Sequence, residues 1–222
     1  YRLQNGYFLI ANNLSIFSNE FTGIGTKAHP FNGVVCGNNT GVNSQVVLVI
    51  TDDKDVTNAY GLFAYLGSNA VVRNLKVRSS VGVTSNEDST DLYAGGLAAV
   101  ANNALLVDLD VVGNINVECK NNVNVYAGGF IGLVNETSVD DISNLSSGRD
   151  NGSVIVSTLG NSYSGFFAGY GLNSYIKELG LNISGLNMTT RNTGTVGTNI
   201  YSGIVFGYLE NTKRIVLENI KL

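Results

Sequence analysis

The sequence predicts an all-β chain wound into a β-solenoid, on three observations. Composition is the first. Of 222 residues, 27 are Gly and 30 are Asn, with one Pro and no Trp. Val, Ile, Thr and Tyr are common while Glu, Lys and Gln are scarce, a mixture of strand formers and turn formers. The second observation is an internal repeat of 33 to 38 residues, the kind of period at which chains stack supersecondary units into arrays. The third is apolar alternation inside the repeat, as in Val72-Arg73-Asn74-Leu75-Lys76-Val77, the signature of a half-buried strand.

The repeat is anchored on glycine. Five segments place a Tyr ahead of a Gly and an apolar run: Tyr60-Gly61-Leu62-Phe63, Tyr93-Ala94-Gly95-Gly96-Leu97, Tyr126-Ala127-Gly128-Gly129-Phe130, Tyr163-Ser164-Gly165-Phe166-Phe167 and Tyr201-Ser202-Gly203-Ile204-Val205. The anchors Gly61, Gly95, Gly128, Gly165 and Gly203 are spaced by 34, 33, 37 and 38. Two residues on stand Phe63, Leu97, Phe130, Phe167 and Val205; five on stand Leu66, Val100, Leu133, Tyr170 and Tyr208. Eleven on stand Val72, Leu106, Val139, Ile176 and Arg214; fourteen on stand Leu75, Leu109, Ile142, Leu179 and Leu217. No gap is needed across these fourteen positions.

Each unit reads as a first strand from the Gly, a turn, and a second strand carrying the aliphatic columns. The turns are Gly67-Ser68-Asn69, Asn102-Asn103, Asn135-Glu136-Thr137, Leu172-Asn173-Ser174 and Glu210-Asn211-Thr212, all of turn-forming composition. A polar segment of variable length closes the unit. Insertions collect in 82–92, 116–125, 144–161 and 184–200, which read as loops leaving along one edge. Two strands cannot bury an apolar face alone, so the units must stack. The recurrent Gly reads as a bend where strands change direction. The Tyr before it is expected to lie over the bend, ring packed and hydroxyl wet, with a sugar-stacking row as the alternative.

Several functions are disfavoured. Charged residues are 14% of the chain and the net charge is −4, with no Lys/Arg run, so a nucleic-acid partner is not expected. No apolar stretch is long enough to span a membrane. The chain starts at Tyr1 without a basic or apolar leader, which reads as a mature form or an excised fragment. Cys36 and Cys119 are expected to be independent thiols rather than a bridge. His29 is the only histidine; it rules out a His-Glu-x-x-His zinc helix and makes a Ser-His-Asp triad remote. Seven Asn-x-Ser/Thr sites, Asn38-Asn39-Thr40 and Asn187-Met188-Thr189 among them, matter only in a eukaryotic secretory host.

The Tyr-x-Gly-Gly-Leu/Phe core, with its turn and aliphatic strand, resembles the GLUG repeat. Phe21-Thr22-Gly23-Ile24-Gly25-Thr26 and Pro30-Phe31-Asn32-Gly33-Val34-Val35-Cys36-Gly37-Asn38 are similar to the element that precedes such repeats, with Val35 and Cys36 where the family has Phe and Asp. Tyr7-Phe8-Leu9-Ile10-Ala11-Asn12-Asn13-Leu14 is similar to the strand before that. The resemblance implies a right-handed parallel β-helix of roughly five to six coils, each coil one repeat. It divides the single domain 1–222 into divergent N-terminal coils, 1–59, and five GLUG-like repeats, 60–222. It also implies a bacterial surface or secreted protein: a filamentous adhesin, a cell-wall protein, or the non-catalytic region of an IgA-specific metalloprotease.

The expected function is therefore an extracellular or cell-surface adhesin or presentation module, structural or binding rather than catalytic. Its partner would be a host or matrix protein or glycan, with flanking domains of a larger parent covering the open ends of the stack. The alternatives are a carbohydrate-active enzyme on a pectin-lyase-like β-helix and a spacer of a secreted protease. For the enzyme the carboxylates to weigh are Asp52, Asp53 and Asp55, Asp108 with Asp110, and Asp140 with Asp141, since glycoside hydrolysis needs two carboxyls facing across a sugar. Asp52-Asp53-Lys54-Asp55 reads more simply as a solvated turn than as a Ca²⁺ loop. One outward column, Asn74, Asp108, Asp141, Glu178 and Val216, stacks three carboxylates. Like charges opposite one another destabilise a sheet. Either Lys177 and Arg73 relieve them, or Asp108, Asp141 and Glu178 hold a Ca²⁺ ion with help from Asp110 and Asp140. No other cofactor is expected.

Overall fold

The computed structural model describes residues 5–18, 21–38, 45–52, 57–86, 90–142, 152–182, 186–194, 198–212 and 214–221. Twenty-one strands and no helix are found among them. The chain opens with β1 (Tyr7–Ile10), β2 (Leu14–Ser18), β3 (Val34–Gly37) and β4 (Gln45–Asp52). Five coils follow. The first is β5 (Ala59–Tyr60), β6 (Phe63–Leu66) and the long β7 (Val71–Ser85). The second is β8 (Leu92–Gly95), β9 (Ala98–Asn102) and β10 (Leu105–Cys119). The third is β11 (Val125–Gly128), β12 (Ile131–Asn135), β13 (Ser138–Ile142) and β14 (Ser153–Thr158). The fourth is β15 (Ser162–Gly165), β16 (Ala168–Leu172), β17 (Tyr175–Asn182) and β18 (Asn187–Asn192). The fifth is β19 (Ile200–Gly203), β20 (Phe206–Glu210) and β21 (Arg214–Lys221).

Every strand pairs in parallel with its equivalent one coil away. One five-stranded sheet is β5-β8-β11-β15-β19, a second is β6-β9-β12-β16-β20, and an eleven-stranded sheet collects the rest. This is a parallel β-helix, as the repeat and the resemblance predict. The eleven-stranded sheet is bent. Val107 pairs with Asp140 and Leu109 with Ile142, skipping one residue, and at the skipped position Asn74 and Asp108 have φ of 53° and 49°. Beyond this kink β7 and β10 run on to pair with β4 and β14.

Each of the first four coils therefore has four strand segments where the sequence reading expects two. The fourth falls in stretches expected to be loops: 82–92 and 116–125 begin inside β7 and β10, and β14 and β18 lie within 144–161 and 184–200. These segments do alternate, with Val81, Val83, Ile115, Val117, Val154 and Val156 buried. Their outward Ser, Gly, Asn and Thr hide the pattern.

The ungapped register fails in the first coil. Tyr60 pairs with Ala94, yet Phe63 pairs with Ala98. One residue is missing at the Gly corner and is regained at the turn, because Leu66 pairs with Ala101 and Val71 with Leu105. The columns eleven and fourteen residues on hold without a gap. Tyr60 adjoins Gly61 and so stands in the inward column of Ala94: it is fully buried, with its hydroxyl 2.8 Å from Asp52 Oδ2 and also donated to the Thr57 carbonyl. So Tyr60 is a core residue, not a wet one.

The inside is a stack of like on like. Leu75, Leu109, Ile142 and Leu179 are 0–2% exposed. Phe31–Phe63, Phe130–Phe167 and Phe167–Phe206 ring centroids lie 5.2–5.3 Å apart. The anchor glycines are demanded by the corner: a Cβ on Gly128 would stand 1.8 Å from the Ile131 carbonyl oxygen, and one on Gly95 2.0 Å from that of Ala98. The turns explain the abundance of Asn. Asn103, Glu136, Asn173 and Asn211 occupy one column with φ of 48–53°, a left-handed conformation that Asn tolerates better than most residues. Under them, Thr137 Oγ1 accepts from Ala104 N and Ser174 Oγ from Thr137 N, which satisfies the buried turn amides.

Among the described residues, large apolar side chains are exposed at both ends of the stack. Tyr7 and Phe17 are 87% and 67% exposed at one end and Ile204 52% at the other. An apolar cavity of about 240 Å³ opens at the first end between Phe8, Ile10, Leu14, Ile16, Phe31 and Phe63.

Candidate functional site

The most organised outer feature is a seam of tyrosines where the two five-stranded sheets meet. On the first sheet, Tyr93, Tyr126, Tyr163 and Tyr201 lie in register. Their consecutive ring centroids are 5.0, 4.9 and 5.0 Å apart with interplanar angles of 9°, 6° and 8°. The facing row on the second sheet is Tyr65, Val100, Leu133, Tyr170 and Tyr208. Tyr170 meets Tyr126 and Tyr163 edge-on at 5.7 and 5.3 Å, and Tyr208 meets Tyr201 at 5.1 Å. Edge-to-face packing of this kind is favourable for aromatic pairs.

The sequence reading finds the Tyr column but not its partner row, whose Val100 and Leu133 read as core. The seam begins at Tyr93 because Ala59 stands in that column in the first coil. A rim of polar side chains runs beside it. Asp91 Oδ1 accepts from Asn124 N at 3.2 Å, Asn161 Nδ2 donates to Asn124 Oδ1 at 2.9 Å, and Asn199 N donates to Asn161 Oδ1 at 2.8 Å.

Burial dominates the electrostatics of the seam. It pushes the Tyr93 hydroxyl up to about 12, with the Asp91 carboxylate adding to the rise. Tyr126 is raised by burial first and by Asp91 and neighbouring phenols after it. Tyr170 is raised by burial and by the hydrogen bond it donates to Glu210. The seam therefore holds neutral phenols. Their ring faces are spent on one another, so it offers ring edges and hydroxyls rather than faces on which a sugar could stack.

The register sets Asp108, Asp141 and Glu178 at one position of three neighbouring coils. Asp108 sits half-buried at the kink. The side chains of Asp141 and Glu178 lie outside the described ones. Asp110 is gripped by Arg78 through two contacts of 3.1 Å, Nη1 to Oδ1 and Nη2 to Oδ2, with the two side chains 15% and 16% exposed. That is the fork geometry of a strong charge-assisted pair. Lys177 meets Asp140 at 3.4 Å. Asp52 ends β4 and is buried against Tyr60, so it is no part of a solvated turn; Asp53 and Asp55 lie outside the described residues. His29 is exposed in a tight turn with Thr26. Cys36 and Cys119 are not bridged to each other. Among the described residues no group of three His, Cys, Asp or Glu could hold a metal, and no helix is long and apolar enough to cross a membrane.

Fold and seam together define a β-solenoid repeat protein. No family model, curated protein or solved structure matches the chain.

Proposed function

We propose that this chain is a presentation or adhesion module of a bacterial surface or secreted protein, related to the GLUG-repeat proteins it resembles. It works outside the cell and holds a host or matrix protein or glycan. One observation carries the reading. The chain leaves the ends of β7, β10, β14 and β18 on the bent sheet and resumes at β8, β11, β15 and β19 on the sheet bearing the Tyr column, at the same place in each coil. The parallel ladders thus set these crossings one coil apart on a repeating scaffold. Binding residues concentrate on loops that a rigid frame positions. The carboxylates weighed for hydrolysis also favour this reading, since Asp110 and Asp140 face basic partners rather than each other.

The test is binding of the purified chain to arrayed matrix proteins and glycans, alongside surface labelling of intact producing cells. Saturable binding that is lost when 120–124 is replaced by Gly-Ser is the expected result. Depolymerisation of a glycan, or labelling only after lysis, would overturn the proposal.

A further inference from the structure

We propose that the tyrosine ladder is a site of oxidative cross-linking, in which neighbouring phenols couple to dityrosine and staple consecutive coils together. This does not rest on the adhesion reading. Three observations meet in it. The four rings are held parallel, 4.9–5.0 Å between centroids and 6–9° between planes, and each pair joins residues 33 to 38 apart in sequence. No described protein group hydrogen-bonds the hydroxyls of Tyr93, Tyr126, Tyr163 or Tyr201, whereas Tyr65 and Tyr170 are engaged by Asn58 and Glu210. Neither Cys36 nor Cys119 forms a disulfide, and the ladder is a place where this stack can gain covalent ties between coils.

The chemistry needs a one-electron oxidant, here a haem peroxidase with hydrogen peroxide. Each of two adjacent phenols loses one electron and one proton from its O–H, giving two tyrosyl radicals. The radicals join through a carbon–carbon bond between ring carbons ortho to oxygen. The two ortho hydrogens then move to the oxygens as the rings regain aromaticity. In sum two hydrogen atoms leave the protein, and one hydrogen peroxide takes them up to become two waters. All four rings are partly exposed, so the oxidant can take an electron from any of them, and the stacked rings pass the radical along the ladder. Pre-set parallel rings supply the orientation that makes coupling effectively unimolecular.

The experiment treats dilute protein with peroxidase and peroxide, isolates the monomer by gel filtration, and reads dityrosine fluorescence, intact mass and cross-linked peptides. Expected are monomers that have lost two hydrogens per link, peptides joining Tyr93–Tyr126, Tyr126–Tyr163 or Tyr163–Tyr201, and a raised Tm. Tyr126→Phe/Tyr163→Phe keeps the ring stack, and its melting curve checks folding. In that variant all three peptide pairs should vanish. Monomer without dityrosine, links found only in dimers, or links confined to tyrosines outside the ladder such as Tyr7 would each overturn the proposal.

Discussion

Glu136 is the misfit in a column of asparagines, and replacing it should stabilise the protein. Its φ is 48°, against 53°, 50° and 48° at Asn103, Asn173 and Asn211. A residue other than Gly costs about 1–2 kcal/mol in the left-handed region, and Asn recovers part of that through local hydrogen bonding. Nothing offsets the cost at Glu136. The side chain is exposed, no described group hydrogen-bonds its carboxylate, and its backbone N–H reaches the Leu172 carbonyl at 3.0 Å whatever the side chain. Glu136→Asn should therefore gain about 0.5–1.5 kcal/mol, the share of the left-handed penalty that Asn escapes. For a chain of this size that raises Tm by about 2–4 °C per kcal/mol. Glu136→Ala is the control, since it removes the carboxylate but keeps a Cβ in the strained conformation. Glu136→Gly should fall between them, because relief of strain is offset by a floppier unfolded chain. Urea midpoints of the four proteins give the answer. If Glu136→Asn is no more stable than Glu136→Ala, strain at the turn is not what sets this column.

Three further outcomes are expected. Leu109→Ala removes a fully buried side chain paired on either side with Leu75 and Ile142; it should cost about 2–5 kcal/mol, and an unchanged denaturation midpoint would take Leu109 out of the core. Tyr93 and Tyr126 have raised pKa values when folded, so they release protons more readily when unfolded; their contribution is whole below pH 10 and falls as pH climbs towards the value of about 12 at Tyr93, and in stability profiles from pH 9 to 12 Tyr93→Phe/Tyr126→Phe should lose less than wild type. Thermal melts with Ca²⁺ and with a chelator should superimpose, because Arg78 and Lys177 already meet Asp110 and Asp140; a Ca²⁺-dependent rise in Tm would instead place the ion at Asp108, Asp141 and Glu178.

The columns eleven and fourteen residues past each Gly were legible because a stacked core repeats one side-chain type at one height. The bend was legible because only Gly fits it. The fourth strand was not, since its inward Val and Ile alternate with the residue types that also make loops. Tyr60 was misplaced for a different reason. In the later coils an Ala or Ser separates Tyr from Gly, whereas Tyr60 touches Gly61 directly. That missing residue flips a side chain to the other face, as any one-residue slip in a strand must. The seam was half visible: its Tyr column repeats, but the facing row mixes Val and Leu with Tyr and shares its polarity with the interior.

The parallel ladders also decide how this molecule bears load. Every hydrogen bond between coils lies along the stack, while the covalent chain runs around it. Axial tension therefore acts on one coil's ladder at a time and never on the whole core. A tethered molecule should lengthen in discrete steps as end coils peel away, each step freeing 33 to 38 residues, or roughly 110–135 Å of contour. Such a rod yields by paying out length in measured increments, with the coils still wound behind the break keeping their shape.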